Sequence, residues 1–533
     1  MVDVLKHPLL GEFEGIRHPS EDVTQYLGVQ YATLAHRFAA PVVKTEYQGK
    51  VDATSFGPSV ITAPIGCDIE FGLIQKALER PPVPPVSDLD GLNLNISVPT
   101  TSPGKAQTKL PVLVFIHGGG FLFGGNWAPH YDLARIVAFA ASIGKPIIGV
   151  SLNYRLGVPG FLDSKELRGA GIPLNRGILD QKVAFEWIQR NIAGFGGDPQ
   201  EVTAIGQSAG GSSVMHLLNQ ESEGFDLFHR AICLSGNIMA AAVFPEAVAR
   251  HAYTQVLQCL DIDSTLSDEL QVSALKAVAH EDLLTKIPPS VPLGPVVKGY
   301  DLPSFAAITA KSPTKHSVPL MIGLTDFDGA IFEVLGIFAG RNEATLAEDF
   351  AKVLQRFVPG SQNEKITQLL RLYGIENVVA AETQESRLAI LQFGTDLKYF
   401  ASARAYASSW PDESWLYYFN EQNPWEGPHK GRSAHCLDIA YLFLNYSDVM
   451  SEPELEVATG FARDVIGFVY GEQPYAEFRS SRKMKVYGQS PEGSETSCLD
   501  ESMVGPSAEI RKLWDEIGLD ILAKGWDAYL TKQ

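Results

Sequence analysis

Residues 202–211 read Val-Thr-Ala-Ile-Gly-Gln-Ser-Ala-Gly-Gly and carry the most structural information in this 533-residue chain. The apolar start predicts a buried strand, the glycine-flanked centre predicts a tight turn, and the spacing from Ser212 to Leu218 predicts a helix. Gly206 and Gly210 leave room for neighbouring backbone on such a turn, which lifts Ser208 above the end of the strand. We therefore expect a strand, a sharp turn that presents Ser208, and a helix.

The same alternation of strand and helix extends outward from this segment. Buried strands are predicted at 111–116, 146–152, 231–234 and 320–323, and helices at about 131–143 and 179–192. This order predicts an α/β fold with a large, mostly parallel, twisted central sheet and helices on both faces. We expect one domain, residues 1–533, with helical insertions around 245–285 and 342–408 over the active site.

A second glycine motif strengthens the interpretation of Ser208. The Gly-x-Ser-x-Gly pattern alone is a weak signal in a chain with 48 glycines, but His-Gly-Gly-Gly-Phe at 117–121 is rarer, since the chain has only 12 histidines. The two motifs occur in the order that the α/β-hydrolase architecture requires. Backbone N–H groups of Gly119, Gly120 and Ala209 are therefore the expected donors to an oxyanion.

A serine nucleophile needs a base, and the base needs a carboxylate that orients it. The candidate base is His435, although a single histidine is more often structural than catalytic. The candidate acid follows the strand at 320–323, where Asp326 and Asp328 compete. Either choice gives the chain order of serine, acid and histidine that this fold uses.

Several further motifs resemble the type-B carboxylesterase family, which includes carboxylesterases, cholinesterases and fungal lipase-like esterases. The resemblance runs from roughly Tyr26 to Gly471. Besides the two glycine motifs it rests on Asn153-Tyr154-Arg155-Leu156-Gly157, Leu179-Asp180-Gln181 and Phe195-Gly196-Gly197-Asp198-Pro199. It implies the α/β-hydrolase fold and ester hydrolysis.

The resemblance also ranks the candidate residues. The acid of this family directly precedes a glycine, which favours Asp328 over Asp326, although the family usually has Glu there. The histidine of the family lies shortly before an acidic residue and a Tyr-x-Phe sequence, as His435 does here. Cys436 replaces the glycine that usually follows that histidine, and Cys67 lacks the disulfide partner that the family often supplies.

The substrate is expected to be a neutral, largely apolar ester. Gln207 replaces the acid that precedes the nucleophile in cholinesterases, and Ile331 replaces an aromatic residue that would flank a choline group, so a quaternary ammonium substrate is not expected. The resemblance implies that six side chains line the substrate site: Phe121, Phe123, Gln207, Met239, Ile331 and Phe332.

Composition excludes several other classes of protein. The net charge of −19 disfavours nucleic acid as a partner. Five cysteines without a Cys-x-x-Cys pair indicate neither a disulfide framework nor a zinc site, and no metal or organic cofactor is implied.

We expect no membrane span. We also expect a cytoplasmic location, because the N-terminus lacks the pattern of a signal peptide; the protein would be secreted only if this sequence is a trimmed mature form. The oligomeric state is not predicted.

The expected function is hydrolysis of a carboxylic ester through an acyl-enzyme on Ser208. Two alternatives remain open. One is acyl transfer, or lactone formation or opening, on a specialised metabolite, because pocket shape decides whether water or a second substrate accepts the acyl group. The other is a non-catalytic binding protein with the same fold, since fold does not imply function.

Overall fold

A large β-sheet organises the protein. The computed structural model describes residues 2–100, 109–219, 226–241, 243–297, 304–310, 314–375, 383–488 and 497–532. The strands are β1 Val2–His7, β2 Gly11–Arg17, β3 Val23–Gln30, β4 Ala32–Thr33, β5 Val42–Val43, β6 Lys50–Ala53, β7 Asn93–Pro99, β8 Leu110–Ile116, β9 Ile148–Leu152, β10 Gly197–Gln207, β11 Arg230–Leu234, β12 Phe244–Pro245, β13 Val296–Val297, β14 Leu320–Thr325, β15 Ser414–Asn420, β16 Lys483–Gly488 and β17 Ser497–Asp500.

Helices surround this sheet. They are α1 Gly66–Ile74, α2 Ala134–Ser142, α3 Gly157–Phe161, α4 Lys165–Gly169, α5 Arg176–Asn191, α6 Ala209–Leu217, α7 Glu246–Cys259, α8 Asp268–Ala277, α9 His280–Thr285, α10 Phe305–Ala310, α11 Ala330–Val334, α12 Leu346–Phe357, α13 Asn363–Leu372, α14 Thr383–Gly394, α15 Ala401–Ser409, α16 Leu437–Leu442, α17 Glu452–Val469, α18 Phe478–Ser481, α19 Ala508–Ile517 and α20 Leu519–Leu530. No helix in these ranges is long and apolar enough to cross a membrane.

The order of the strands matches the predicted fold. Along the main sheet the strands run β1-β2-β3-β7-β9-β8-β10-β11-β14-β15-β16-β17, with β6 beside β2. In the central part of this order, β9-β8-β10-β11-β14-β15-β16, each strand is parallel to the next. Antiparallel strands extend both edges. The prediction of an α/β-hydrolase sheet, large and mostly parallel, is therefore confirmed.

The parallel strands are apolar because both faces of this part of the sheet are covered. Every residue of β9 and of β14 is buried, as are residues 202–207 of β10. Strands β8, β10 and β14 end at one edge of the sheet, and the residues that follow them carry the chemistry. Ligands of open α/β sheets bind at this carboxyl edge.

The helices within the two expected insertions differ in packing and in helix type. Residues 245–285 contain α7, α8 and α9, whose apolar side chains form a small core of their own with residues such as Phe38 and Leu162. Residues 342–408 contain α12 to α14 and all but the last residue of α15, and a π-helical segment, Thr395–Phe400, separates α14 from α15. Segments of π-helix within α-helices are often found at functional sites.

Candidate active site

Ser208 lies on a strained turn between β10 and α6. Its backbone has φ 56° and ψ −121°, a region that non-glycine residues rarely adopt and that is maintained only where the surroundings fix it. A Cβ on Gly206 would lie 2.2 Å from the carbonyl carbon of Gly210, so the turn closes only with glycine there. Because the Ser208 N–H donates to the carbonyl of Leu234 at 2.9 Å, the turn is also tied to the neighbouring strand.

The glycine loop after β8 lies beside this turn. Gly119 and Gly120 have φ +95° and +61°, and a Cβ on Gly119 would come within 2.1 Å of the Phe123 carbonyl oxygen. In the part of the chain that the structure describes, the N–H groups of Gly119, Gly120 and Ala209 donate to no protein group. Ala209 also begins α6, where the helix dipole favours negative charge. These three amides are available to an external oxygen.

Asp328 and His435 form a buried, hydrogen-bonded pair. The Nδ1 atom of His435 lies 2.6 Å from Oδ1 of Asp328, and both side chains are almost fully buried. The other oxygen of Asp328 accepts a hydrogen bond from the Thr325 N–H at 2.9 Å. The two loops are joined by an isolated parallel bridge in which the Phe327 N–H donates to the Ser433 carbonyl at 2.8 Å.

Asp326, the competing acid, has a different partner. Its Oδ1 accepts a hydrogen bond from the Tyr418 hydroxyl at 2.5 Å, and its N–H donates to the Phe419 carbonyl. Burial raises the pKa of Asp326. Of the two aspartates, Asp328 is therefore the one in contact with His435.

The second nitrogen of His435 contacts Gln207. Because the carboxylate of Asp328 accepts at Nδ1, the neutral ring carries its proton there and its Nε2 is an acceptor. The Nε2 atom of Gln207 lies 3.2 Å from this acceptor and 3.3 Å from Sγ of Cys436. Among the described residues no hydrogen bond joins Ser208 Oγ to His435.

A second buried carboxylate lies near the same histidine. Oδ2 of Asp438 accepts hydrogen bonds from the Tyr417 hydroxyl at 2.9 Å and the Ser235 hydroxyl at 3.3 Å. Burial, and next the charge of Asp328, raises the pKa of Asp438 to about 6. Ser235 therefore interacts with Asp438 rather than with the Ser208 turn.

The π-helical segment supplies contacts that sequence reasoning missed. The ring of Tyr399 lies 5.7 Å from that of His435 and 5.9 Å from that of Phe332. The Thr395 hydroxyl accepts a hydrogen bond from the Gly329 N–H at 2.8 Å, directly beside the acid. No motif marks this segment in the sequence; its importance comes from packing against residues that are distant in the chain.

The expected substrate residues have different immediate neighbours. Phe121 is buried and packs on Phe161, with ring centroids 4.9 Å apart, whereas Phe123 is half-buried and lies against the glycine loop. Met239 is buried, and Ile331 is half-buried at the start of α11. Phe332 packs between Tyr399 and Trp526. Gln207 contacts the histidine directly.

In the described residues, no three His, Cys, Asp or Glu side chains are grouped closely enough to hold a metal ion. All five cysteines lie in the described ranges as free thiols, and Cys67 and Cys436 are buried.

The sheet, the strained serine turn and the acid–histidine pair define the class of protein as an α/β-hydrolase. The chain belongs to the carboxylesterase family, whose model matches residues 3–496. Both the family and the class of enzyme expected from the sequence, a carboxylesterase, are confirmed at this level.

Individual relatives agree with this assignment. Para-nitrobenzyl esterase of Bacillus subtilis is 29% identical over 451 residues, which is 82% of each protein. Esterase FE4 of Myzus persicae is 33% identical over 64% of this chain, and the chain spans only 58% of that protein's length. A solved structure of a PNB esterase superposes with a TM-score of 0.73 at 26% identity and covers 96% of this chain and 99% of the other.

Proposed function

We propose that this protein hydrolyses neutral, largely apolar carboxylic esters through an acyl-enzyme on Ser208. The observation that carries the proposal is the 2.6 Å contact between His435 Nδ1 and Asp328 Oδ1 beside a serine on a strained turn. A buried carboxylate fixes the tautomer of the histidine and stabilises the imidazolium that forms when the serine loses its proton.

The reaction proceeds in two halves. Ser208 Oγ attacks the ester carbonyl as His435 Nε2 takes its proton, and the amides of Gly119, Gly120 and Ala209 donate to the oxyanion. The imidazolium then protonates the leaving alcohol, which leaves an acyl group on Ser208. Water, deprotonated by the same histidine, releases the acid.

In the free protein, however, the serine and the histidine are not yet hydrogen-bonded to each other. Catalytic hydrogen bonds of this kind often tighten only when substrate binds. The apolar substrate class is supported by the aromatic ring of Tyr399 next to His435 and by the ring of Phe332 next to Tyr399. It also agrees with the name of the relative from Bacillus subtilis, para-nitrobenzyl esterase.

The test is hydrolysis of p-nitrophenyl esters of increasing acyl length by the wild type and by Ser208→Ala. The matched control is Ser212→Ala, since Ser212 lies one turn along α6 and its buried hydroxyl has no partner in the described residues. We expect Ser208→Ala to lose activity by at least about 10⁴-fold while Ser212→Ala keeps it.

Two results would contradict the proposal. Equal rates in the wild type and Ser208→Ala would exclude Ser208 as the nucleophile. A wild type that forms the acyl-enzyme but passes the acyl group to an added alcohol in preference to water would identify a transferase.

A further inference from the structure

Gln207, which also contacts Cys436, interacts with the histidine in a way that ester hydrolysis does not require. In the proposed mechanism, Nε2 of His435 accepts the proton of Ser208, yet in the free protein the Gln207 amide occupies this acceptor at 3.2 Å. Gln207 is fully buried and its Oε1 atom has no partner in the described residues. The Gln207 carboxamide is therefore held mainly through its Nε2 group.

Cys436 supplies the second acceptor for this group. Its Sγ lies 3.3 Å from Gln207 Nε2, and burial raises the pKa of the thiol, which keeps it neutral and able to accept weakly. Its backbone has φ 73°, a conformation that favours glycine. A cysteine at this position adopts an unfavourable backbone conformation, but its side chain contacts Gln207.

We propose that Gln207 holds the catalytic histidine off Ser208 in the free enzyme, and that Cys436, as a second acceptor for the Gln207 amide, weakens this hold. The inference rests on the proposed function, in which His435 activates Ser208. Substrate binding must then break the bond from Gln207 to His435 before the serine can donate to the same nitrogen. Cys436 keeps Gln207 partly satisfied when that bond breaks, so it weakens the hold that Gln207 has on His435.

The proposal predicts effects of opposite sign at the two positions. Gln207→Met keeps the length of the side chain and removes the donor. The Nε2 atom of His435 then becomes free to accept from Ser208. The rate constant for inactivation by a p-nitrophenyl phosphonate, followed by release of p-nitrophenolate, should rise about fivefold, the factor for one net hydrogen bond. Cys436→Ala should lower it about twofold, because Gln207 then has His435 as its sole partner.

The double variant separates a pair from two independent residues. If Cys436 acts through Gln207, Cys436→Ala changes nothing once Gln207 is methionine, and the double variant reacts at the rate of Gln207→Met. Inactivation of the Gln207→Met variant that is slower than that of the wild type overturns the proposal, as do effects of the two substitutions that simply add. Unchanged circular dichroism spectra and melting temperatures exclude misfolding.

Gln207→Glu, whose side chain is nearly the same size as that of glutamine, gives an independent readout. At neutral pH a carboxylate only accepts, so it stabilises the doubly protonated ring, which Asp328 and Asp438 also face. The acid limb of the kcat/KM–pH profile should move to higher pH, and an unmoved limb would overturn the proposal. Failure of the phosphonate to label Ser208 in the wild type would instead refute the proposed function.

Discussion

The two halves of the candidate active site are built differently. The serine half, residues 117–124 and 206–211, works through backbone: a serine with φ 56°, a glycine with φ +95° and three free amides. The acid–base half, residues 326–329, 395–400 and 433–438, works through buried side chains that meet from distant segments, as Asp328 and His435 do across 107 residues.

This difference teaches where each half is sensitive to substitution. Backbone geometry is disrupted when a side chain is added at a glycine, whereas a buried carboxylate–histidine pair is disrupted when the charge of the carboxylate or its hydrogen bond is removed. The serine half should therefore respond most to steric changes, and the acid–base half most to changes of charge and hydrogen bonding.

The largest effect is expected in the acid–base half. Asp328→Asn keeps the shape of the acid but presents an amide to Nδ1, which favours the wrong tautomer of His435, so kcat should fall about 10³- to 10⁴-fold. Asp326→Asn is the matched control, because Asp326 bonds Tyr418 instead, and it should cost less than about tenfold. Steady-state kinetics on p-nitrophenyl esters measure both, and equal losses would remove the distinction between the aspartates.

In the serine half the decisive substitution is Gly119→Ala. Its Cβ would come within 2.1 Å of the Phe123 carbonyl oxygen at φ +95°, so the loop must shift and misplace an amide. Loss of one oxyanion donor lowers kcat about 10²-fold. At Gly120 a Cβ meets nothing within 4 Å, and Gly120→Ala should cost less than Gly119→Ala despite its φ of +61°.

If Gly120→Ala instead lowered kcat more than Gly119→Ala, the loop would require glycine for its backbone conformation rather than for lack of space. The melting temperatures of both variants serve as the control for folding.

The sequence predicted the serine half well and the acid–base half in part. Glycine patterns report backbone geometry within a few residues, so Gly119, Gly206 and Ser208 could be read directly. Asp328 was separated from Asp326 only by family resemblance, because two aspartates two residues apart look alike without their partners. Tyr399 and Thr395 were missed, because no sequence pattern distinguishes a π-helical segment from the helices around it. Their contacts with the acid and the histidine come only from tertiary packing.

The next prediction concerns charge in the acid–base half. Asp438 has a folded pKa raised to about 6, against about 4 for an unfolded aspartate. Between these values the folded protein keeps a proton that the unfolded chain releases, so stability falls mainly as pH rises from 4 to 6 and levels off about one pH unit higher. The loss is about 2 kcal/mol.

Asp438→Asn removes this loss and keeps the contacts, because the hydroxyls of Tyr417 and Ser235 can turn to accept from an amide. The free energy of unfolding in urea should therefore be similar for variant and wild type at pH 4, and the variant should gain an advantage of about 2 kcal/mol by pH 6. An advantage that does not change with pH would mean that Asp438 ionises alike in both states.

The smallest effect tests whether the π-helical segment supports the acid. Thr395 Oγ1 accepts from the Gly329 N–H at 2.8 Å and donates to the Leu391 carbonyl at 3.1 Å. Thr395→Val keeps the shape but leaves a buried N–H unpaired beside Asp328, which should lower the free energy of unfolding by about 1 kcal/mol. Thr395→Ser retains the hydroxyl and should recover most of this loss. If valine and serine destabilise the protein equally, the methyl group rather than the hydrogen bond matters here, and the acid would be held by its own turn alone.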